Sequence, residues 1–153
     1  MEAEVSIEAA TAFDLEAVLC VQGASPSAAR WSRSDYERFL GESGQILLVA
    51  RASSLVGFLA ARVVADEVEI LNLAVEPHRR GRGIGALLLR ETLTRAWQRG
   101  ARSAWFEVRA SNQLACTFYR SFGFRETYRR PCFYQDPEED AVIFRRTLEA
   151  ASP

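Results

Sequence analysis

Three arginines and three glycines crowd into the run Arg79-Arg80-Gly81-Arg82-Gly83-Ile84-Gly85-Ala86, just after a strand-like stretch that stops at Pro77. Glycine reaches φ > 0 and puts no Cβ in the way, so several backbone N–H groups can converge on one point. The helical pattern that follows adds its own unpaired N–H groups and the positive end of its dipole. Such a combination holds phosphate or diphosphate, and Arg79, Arg80 and Arg82 add mobile positive charge.

Three phosphate-binding patterns compete for this segment. A nucleotide-hydrolase loop requires Gly, four residues, then Gly-Lys-Ser/Thr, and neither the lysine nor the hydroxyl is present. The dinucleotide fingerprint is nearer, since Gly81, Gly83 and Ala86 satisfy G-x-G-x-x-G/A and Glu107 lies about twenty residues on. In that fold the glycines follow the strand at once and open a series of parallel βαβ units. Here Glu76-Pro77-His78-Arg79 intervenes and too little chain follows. The third pattern, Arg/Gln-x-x-Gly-x-Gly/Ala, runs through Arg80-Gly81-Arg82-Gly83-Ile84-Gly85 and resembles the acetyl-CoA loop of the GNAT acyltransferase superfamily.

The resemblance extends past the loop. Asn112, Ala115, Tyr119 and Gly123-Phe124 match that superfamily's N-x-x-A-x-x-x-Y-x-x-x-G-F signature. Ile70 to Val75, Trp105 to Asn112 and Glu139-Asp140-Ala141 resemble the bacterial ribosomal-protein-alanine N-acetyltransferases, and the similarity covers most of residues 67–147. It implies a single α+β domain over residues 1–148 with a 149–153 tail, built on a mixed, mostly antiparallel sheet of about seven strands flanked by about four helices. It further implies acetyl-CoA as co-substrate, no metal, and the N-terminal alanine of a small-subunit ribosomal protein as acceptor. Cofactor contacts fall to the backbone of Leu73, Ala74 and Val75, to Arg80, Gly81, Arg82, Gly83, Ile84, Gly85 and Ala86, and to Asn112. Peptide contacts fall to the 24–31 loop with Trp31 and to Phe133-Tyr134. Relatives often carry two tyrosines where this chain has Phe133-Tyr134, and Arg129-Arg130-Pro131-Cys132 before them has no counterpart role.

Acyl transfer from a thioester to an amine needs a neutral amine, an oxyanion site and a proton for the departing thiolate. Glu107, in a strand otherwise made of Trp105, Phe106 and Val108, is the candidate base, its pKa expected to rise between apolar walls. Tyr119, with an ordinary pKa of about 10 against about 8.5 for a thiol, is the candidate donor to sulfur. An α-amine of pKa about 7.7–8.0 is roughly a tenth neutral at pH 7, lysine far less, which favours an N-terminus as acceptor. Ordinary readings stand beside these. The glycines could make only a tight turn, Glu107 could pair with Arg109 or another arginine, Tyr119 could be core, and Asn112 could be an N-cap. Cys116 reads as a small buried hydrophobe, His78 as a surface loop residue, and Glu138-Glu139-Asp140 as a solvated turn. Lysine or small-amine acetylation, and non-catalytic binding of acyl-CoA or a dinucleotide, are the rival functions.

The elements that must hold these groups follow from periodicity. Val5 to Ala9 alternates like a half-buried strand, and Thr11 with Asp14 forms a capping pattern before a helix expected to turn Phe13, Leu15, Val18 and Leu19 inward. A short helix over Ser34 to Leu40 comes next, stopped by glycine. Gln45 to Ala50, Val56 to Val64 and Glu67 to Val75 read as an antiparallel meander. A helix runs from Gly83 to about Gly100, a strand from Ala104 to Val108, and a helix from Asn112 to Phe122. On that last helix Asn112, Cys116 and Tyr119 form one stripe, expected to work, while Leu114, Ala115, Phe118 and Phe122 form the packing side. Phe124 to Arg129 and Asp140 to Thr147 close the sheet.

Composition narrows the partners. The 153-residue chain is 48% hydrophobic, enough for one compact core. A net charge of -1 excludes a general polyanion binder, so nucleic acid is not expected. The acidic start and the lack of a long apolar run give an expectation of a cytoplasmic, non-membrane protein. Cys20, Cys116 and Cys132, with a single histidine, suggest neither disulfides nor zinc.

Overall fold

The computed structural model describes residues 4–150. Its strands are β1 (Ser6–Ala9), β2 (Gln45–Arg51), β3 (Leu55–Val64), β4 (Glu67–Val75), β5 (Ser103–Arg109), β6 (Arg125–Tyr134) and β7 (Glu139–Thr147). Its helices are α1 (Leu15–Gly23), α2 (Arg33–Leu40), α3 (Ile84–Gln98) and α4 (Gln113–Ser121). The strands form one sheet in the order β1-β2-β3-β4-β5-β7-β6. Short turns make β1 to β4 antiparallel neighbours, whereas α3 carries the chain over the sheet so that β5 runs parallel to β4. The α+β mixed sheet expected from the sequence is therefore present, and residues 1–3 and 151–153, including most of the expected tail, lie outside the described residues.

Each face of the sheet has its own core. On one face, Leu88, Leu89, Leu93 and Ala96 of α3 join Phe106, Phe144, and Cys116 and Tyr119 of α4. On the other, Leu15 and Val18 of α1 and Tyr36 and Phe39 of α2 pack on Leu47, Val49, Phe58 and Ala60. With both faces covered, β2 and β3 bury consecutive residues instead of alternating ones. Local signals agree with this arrangement. Ser32 caps α2 by accepting from Asp35 N at 3.1 Å, while Ser32 N donates to Asp35 Oδ2 at 2.8 Å.

Two expectations are corrected. Phe13 is 97% exposed, because residues 12–14 form a 3-10 turn and α1 starts only at Leu15. On α4 the stripe expected to work is the more deeply packed one: Cys116 and Tyr119 are buried, Ala115, Phe118 and Phe122 are half-buried against the same core, and Leu114 is 86% exposed. Both stripes carry aromatic residues, so hydrophobicity could not choose between them. The choice is made by β5 and β7, whose Phe106 and Phe144 offer a stacked aromatic floor to Tyr119. Phe118 instead lies against α3, where a Cβ on Gly85 would stand 3.5 Å from its ring.

Candidate active site

Strands β4 and β5 pair only from Glu67↔Ser103 to Ile70↔Phe106. Beyond that point β4 runs on to Val75 and β5 to Arg109, so the two strands part like a fork. A bulge in β4 contributes to the divergence. Ala60 faces Asn72 and Ala61 faces Ile70, which leaves Leu71 without an opposite residue on β3. The bulge also reverses which side chains face which core: Ile70 lies in the α3/α4 core and Ala74 in the α1/α2 core. Strand edges exposed inside a fork hold extended amide-containing ligands by main-chain hydrogen bonds.

At the open end of the fork, Glu76 N donates to Val56 O at 2.8 Å and the chain turns at Pro77. Gly81 and Gly83 then take φ of 78° and 81°. A Cβ at either position would meet no atom within 4 Å, so glycine is needed there for its backbone conformation and not for space. Gly83 caps α3, and Leu87 N donates to Gly83 O at 3.0 Å. The N–H groups of Ile84, Gly85 and Ala86 have no acceptor among the described residues. They converge at the positive end of a 15-residue helix, a fitting cradle for a diphosphate. Ile84 contributes only its backbone, since its side chain is buried.

Arg80 was expected to hold the cofactor, but its side chain is already bonded. Nε donates to Val75 O at 3.2 Å and Nη2 to Ser25 Oγ at 3.1 Å, so it ties the loop to β4 and to the 24–31 segment. Asn112 is the N-cap of α4, its Oδ1 accepting from Ala115 N at 3.1 Å.

Tyr119 lies beneath the point where the fork opens. Its ring stacks on Phe106, the last paired residue of β5, with centroids 3.8 Å apart, and stands 5.1 Å from the ring of Phe118, which also touches Gly85. Burial pushes its pKa well above the usual tyrosine value, so the phenol stays protonated. A thiolate departing in the same space would also gain proton affinity, and the protonated phenol would suit it as a hydrogen-bond donor. No described residue hydrogen-bonds the Tyr119 hydroxyl, and because no fully buried side-chain oxygen lacks a partner, that oxygen reaches the open space of the fork.

Glu107 follows Phe106 and therefore faces the opposite side of the sheet. Its surroundings are not the purely apolar walls expected. Arg130 Nη1 lies 3.5 Å from Oε2 of the carboxylate, which is 20% exposed. The alternative partner, Arg109, is engaged elsewhere: with Glu139 at 3.1 Å and with the carbonyls of Pro137 and Gln135 at 3.2 Å. Glu69 on β4, level with Trp105, is a second acid on this face. Its pKa is raised by burial and by the charge of Glu107, against a lowering by Arg62. The fork thus has a carboxylate on one side and a phenol on the other, which lets an amine approach from one face while sulfur leaves toward the other.

Phe133 and Tyr134 stand beside this carboxylate. Their rings are 5.2 Å apart, Arg130 lies 5.3 Å from the Phe133 ring and Arg109 4.4 Å from that of Tyr134. Trp31 is farther along the same face, 4.9 Å from the Tyr36 ring, and lines a depression of about 310 Å³ with Phe39, Glu42 and Arg62. Arg62 is the cross-strand partner of Glu69, which connects this depression to the fork.

Sequence reasoning missed what fixes the 24–31 loop. Asn72, 5% exposed, accepts from Ala29 N at 3.0 Å and donates to Tyr36 Oη at 3.2 Å and to Ala29 O at 3.3 Å. Gln22 Nε2 donates to Trp31 O at 2.9 Å, and Arg30 donates to Gln22 O and Ser25 O. The one available signal was a polar residue inside the apolar run Ile70 to Val75. Burial holds the Tyr36 phenol up at about 12, so it remains a donor and acceptor in this cluster.

A forked parallel pair, a glycine turn into α3 and an aromatic-floored tyrosine define an acyl-CoA-dependent transferase. The Acetyltransferase (GNAT) family model matches residues 13–124, and the chain belongs to that family. It is 34% identical over 115 residues to the ribosomal protein bS18-alanine N-acetyltransferase of Escherichia coli K12, covering 74% of this chain and 78% of the relative. The crystal structure of the ribosomal-protein-S18-alanine N-acetyltransferase from Escherichia coli superposes with a TM-score of 0.86 at 28% identity, over 95% of each chain. The PaiA N-acetyltransferase of Thermoplasma acidophilum, solved with coenzyme A, shares the fold at a TM-score of 0.81 and 20% identity, over 95% of this chain and 99% of that one. The chain is an N-acetyltransferase whose co-substrate is acetyl-CoA. Among the described residues there is no group of His, Cys, Asp or Glu able to hold a metal, and no helix is long and apolar enough to cross a membrane.

Proposed function

We propose that this enzyme acetylates the α-amino group of a protein N-terminus, that of a small-subunit ribosomal protein beginning with alanine, in the cytoplasm. The observation that carries the reading is the fork with Glu107 on one face and Tyr119 under the other. Leu73, Ala74 and Val75 line the inner edge of β4 and engage the thioester and its amides through backbone groups. Gly81 to Ala86 hold the diphosphate. Glu107 takes the proton of the acceptor ammonium, directly or through water, and the neutral amine attacks the thioester carbonyl in a ternary complex. Tyr119 donates to the sulfur as the C–S bond breaks, and the proton shed by the attacking nitrogen ends on the departing thiolate. Phe133, Tyr134 and Trp31 receive the peptide, and residues 1–148 act as one domain with 149–153 as a tail. An α-amine suits a carboxylate base because its pKa, about 7.7–8.0, demands a smaller shift than the 10.4 of lysine.

The test compares a peptide beginning with alanine and carrying an internal lysine with the same peptide blocked at its α-amine. Acetylation of the first alone, located by mass spectrometry, is the expected result. Equal turnover of the two would move the acceptor to lysine and overturn the N-terminal reading.

A further inference from the structure

Arg130 stands where the charged amine of an acceptor has to stand. Its Nη1 is 3.5 Å from Glu107 Oε2, longer than the 2.7–2.9 Å or so of a charge-assisted hydrogen bond. The Arg130 side chain is 47% exposed and belongs to edge strand β6, where pairing with β7 jumps from Arg130↔Ala141 to Tyr134↔Glu139. Arg109, by contrast, is fixed by a carboxylate and two carbonyls on the 135–139 turn. The other charged or titratable groups facing Glu107 are Glu69 from β4 and Tyr134 from β6, each felt electrostatically. Directly opposite on β7 is the uncharged Ile143. Arg130 is thus the one side chain in ion-pair contact with Glu107 among the described residues, and it is held there loosely.

We propose that Arg130 is a displaceable internal cation that occupies Glu107 until the acceptor's ammonium replaces it. Acceptor binding is then an exchange of one cation for another, and the freed guanidinium retains the Phe133 ring, 5.3 Å away, as its neighbour. The exchange keeps Glu107 paired while no acceptor is bound, and it disfavours ligands without a positive charge at the attacking end. Arg130 acts here as a specificity residue, through competition and not through chemistry.

The inference rests on Glu107 being the base, and the experiment separates the two ideas. Steady-state kinetics with a peptide beginning with alanine are measured for the wild type, Arg130→Met, Arg130→Gln, Arg130→Lys and Glu107→Gln, with coenzyme A affinity by calorimetry as the folding control. Removing the charge in Arg130→Met or Arg130→Gln lowers the acceptor KM about two- to fivefold, the size expected for a half-exposed pair, with a smaller change in kcat. Arg130→Lys restores the wild-type KM. An unchanged or higher KM in both neutral variants overturns the displacement. Full turnover in Glu107→Gln would instead remove the base itself, whatever Arg130 does.

Discussion

Asn72→Asp is predicted to make the stability of the fold and the use of acceptor depend on pH. Aspartate keeps the oxygen that accepts from Ala29 N at 3.0 Å. It replaces the amide nitrogen, which donates to Tyr36 Oη at 3.2 Å, Ala29 O at 3.3 Å and Gln22 Oε1 at 3.4 Å, with a second oxygen that faces the last two as fixed acceptors. At 5% exposure water cannot relieve that opposition, so the new carboxyl must stay protonated to fit. A folded-state pKa raised from about 3.9 to about 6.5 amounts to roughly 3–4 kcal/mol at pH 8, taking 1.36 kcal/mol per unit. The neutral form is the one the fold tolerates, so the variant is nearly as stable as the wild type below pH 4 and loses stability as pH rises through the folded pKa. Urea denaturation of both proteins at pH 5 and pH 8 measures this, with the gap between them widening by about 2–3 kcal/mol. The acceptor KM rises more than the dissociation constant for coenzyme A, because Asn72 anchors the 24–31 loop and not the glycine turn. A gap independent of pH would refute the reasoning, and is the result if the Tyr36 hydroxyl turns from Gln22 Oε1 to donate to the new carboxylate.

Tyr119→Phe removes the hydroxyl beneath the fork. The kcat falls by about 10²-fold or more, the usual weight of a proton donor, while coenzyme A affinity by calorimetry stays within about twofold. Because no described residue bonds the hydroxyl and its oxygen reaches open space, chemical denaturation finds the variant within about 0.5 kcal/mol of the wild type. Gly83→Ala places a Cβ in open space but at a φ of 81°. It costs about 1–2 kcal/mol in backbone conformation and weakens coenzyme A binding by roughly tenfold, as read by calorimetry.

Much of the site was legible because its chemistry depends on local chain geometry. The strand ending at Pro77, the glycines of the turn and the helix after it occupy consecutive residues, and their spacing alone locates the turn of positive φ that leaves the first N–H groups of α3 unbonded. Asn112 and Tyr119 follow from a motif within a single helix. What escaped depends on contacts between distant segments. The more deeply packed stripe of α4 was missed because Phe118 and Phe122 look as apolar as Cys116 and Tyr119, and the ring of Phe106 decides. The role of Asn72 requires the bulge at Leu71, which is a property of how β3 and β4 align. Arg80 reads as a phosphate ligand until Ser25 and the Val75 carbonyl come within its reach. The partner of Glu107 was expected to be near in sequence or unspecified, and it comes from β6, two strands away in the sheet order.

The most direct test is a crystal structure of the enzyme with coenzyme A. The diphosphate is expected against the N–H groups of residues 83–86, the pantetheine between the parted ends of β4 and β5, and the sulfur within hydrogen-bonding reach of the Tyr119 hydroxyl. Coenzyme A bound outside the fork, or a sulfur remote from Tyr119 with its diphosphate away from the glycine turn, would contradict it.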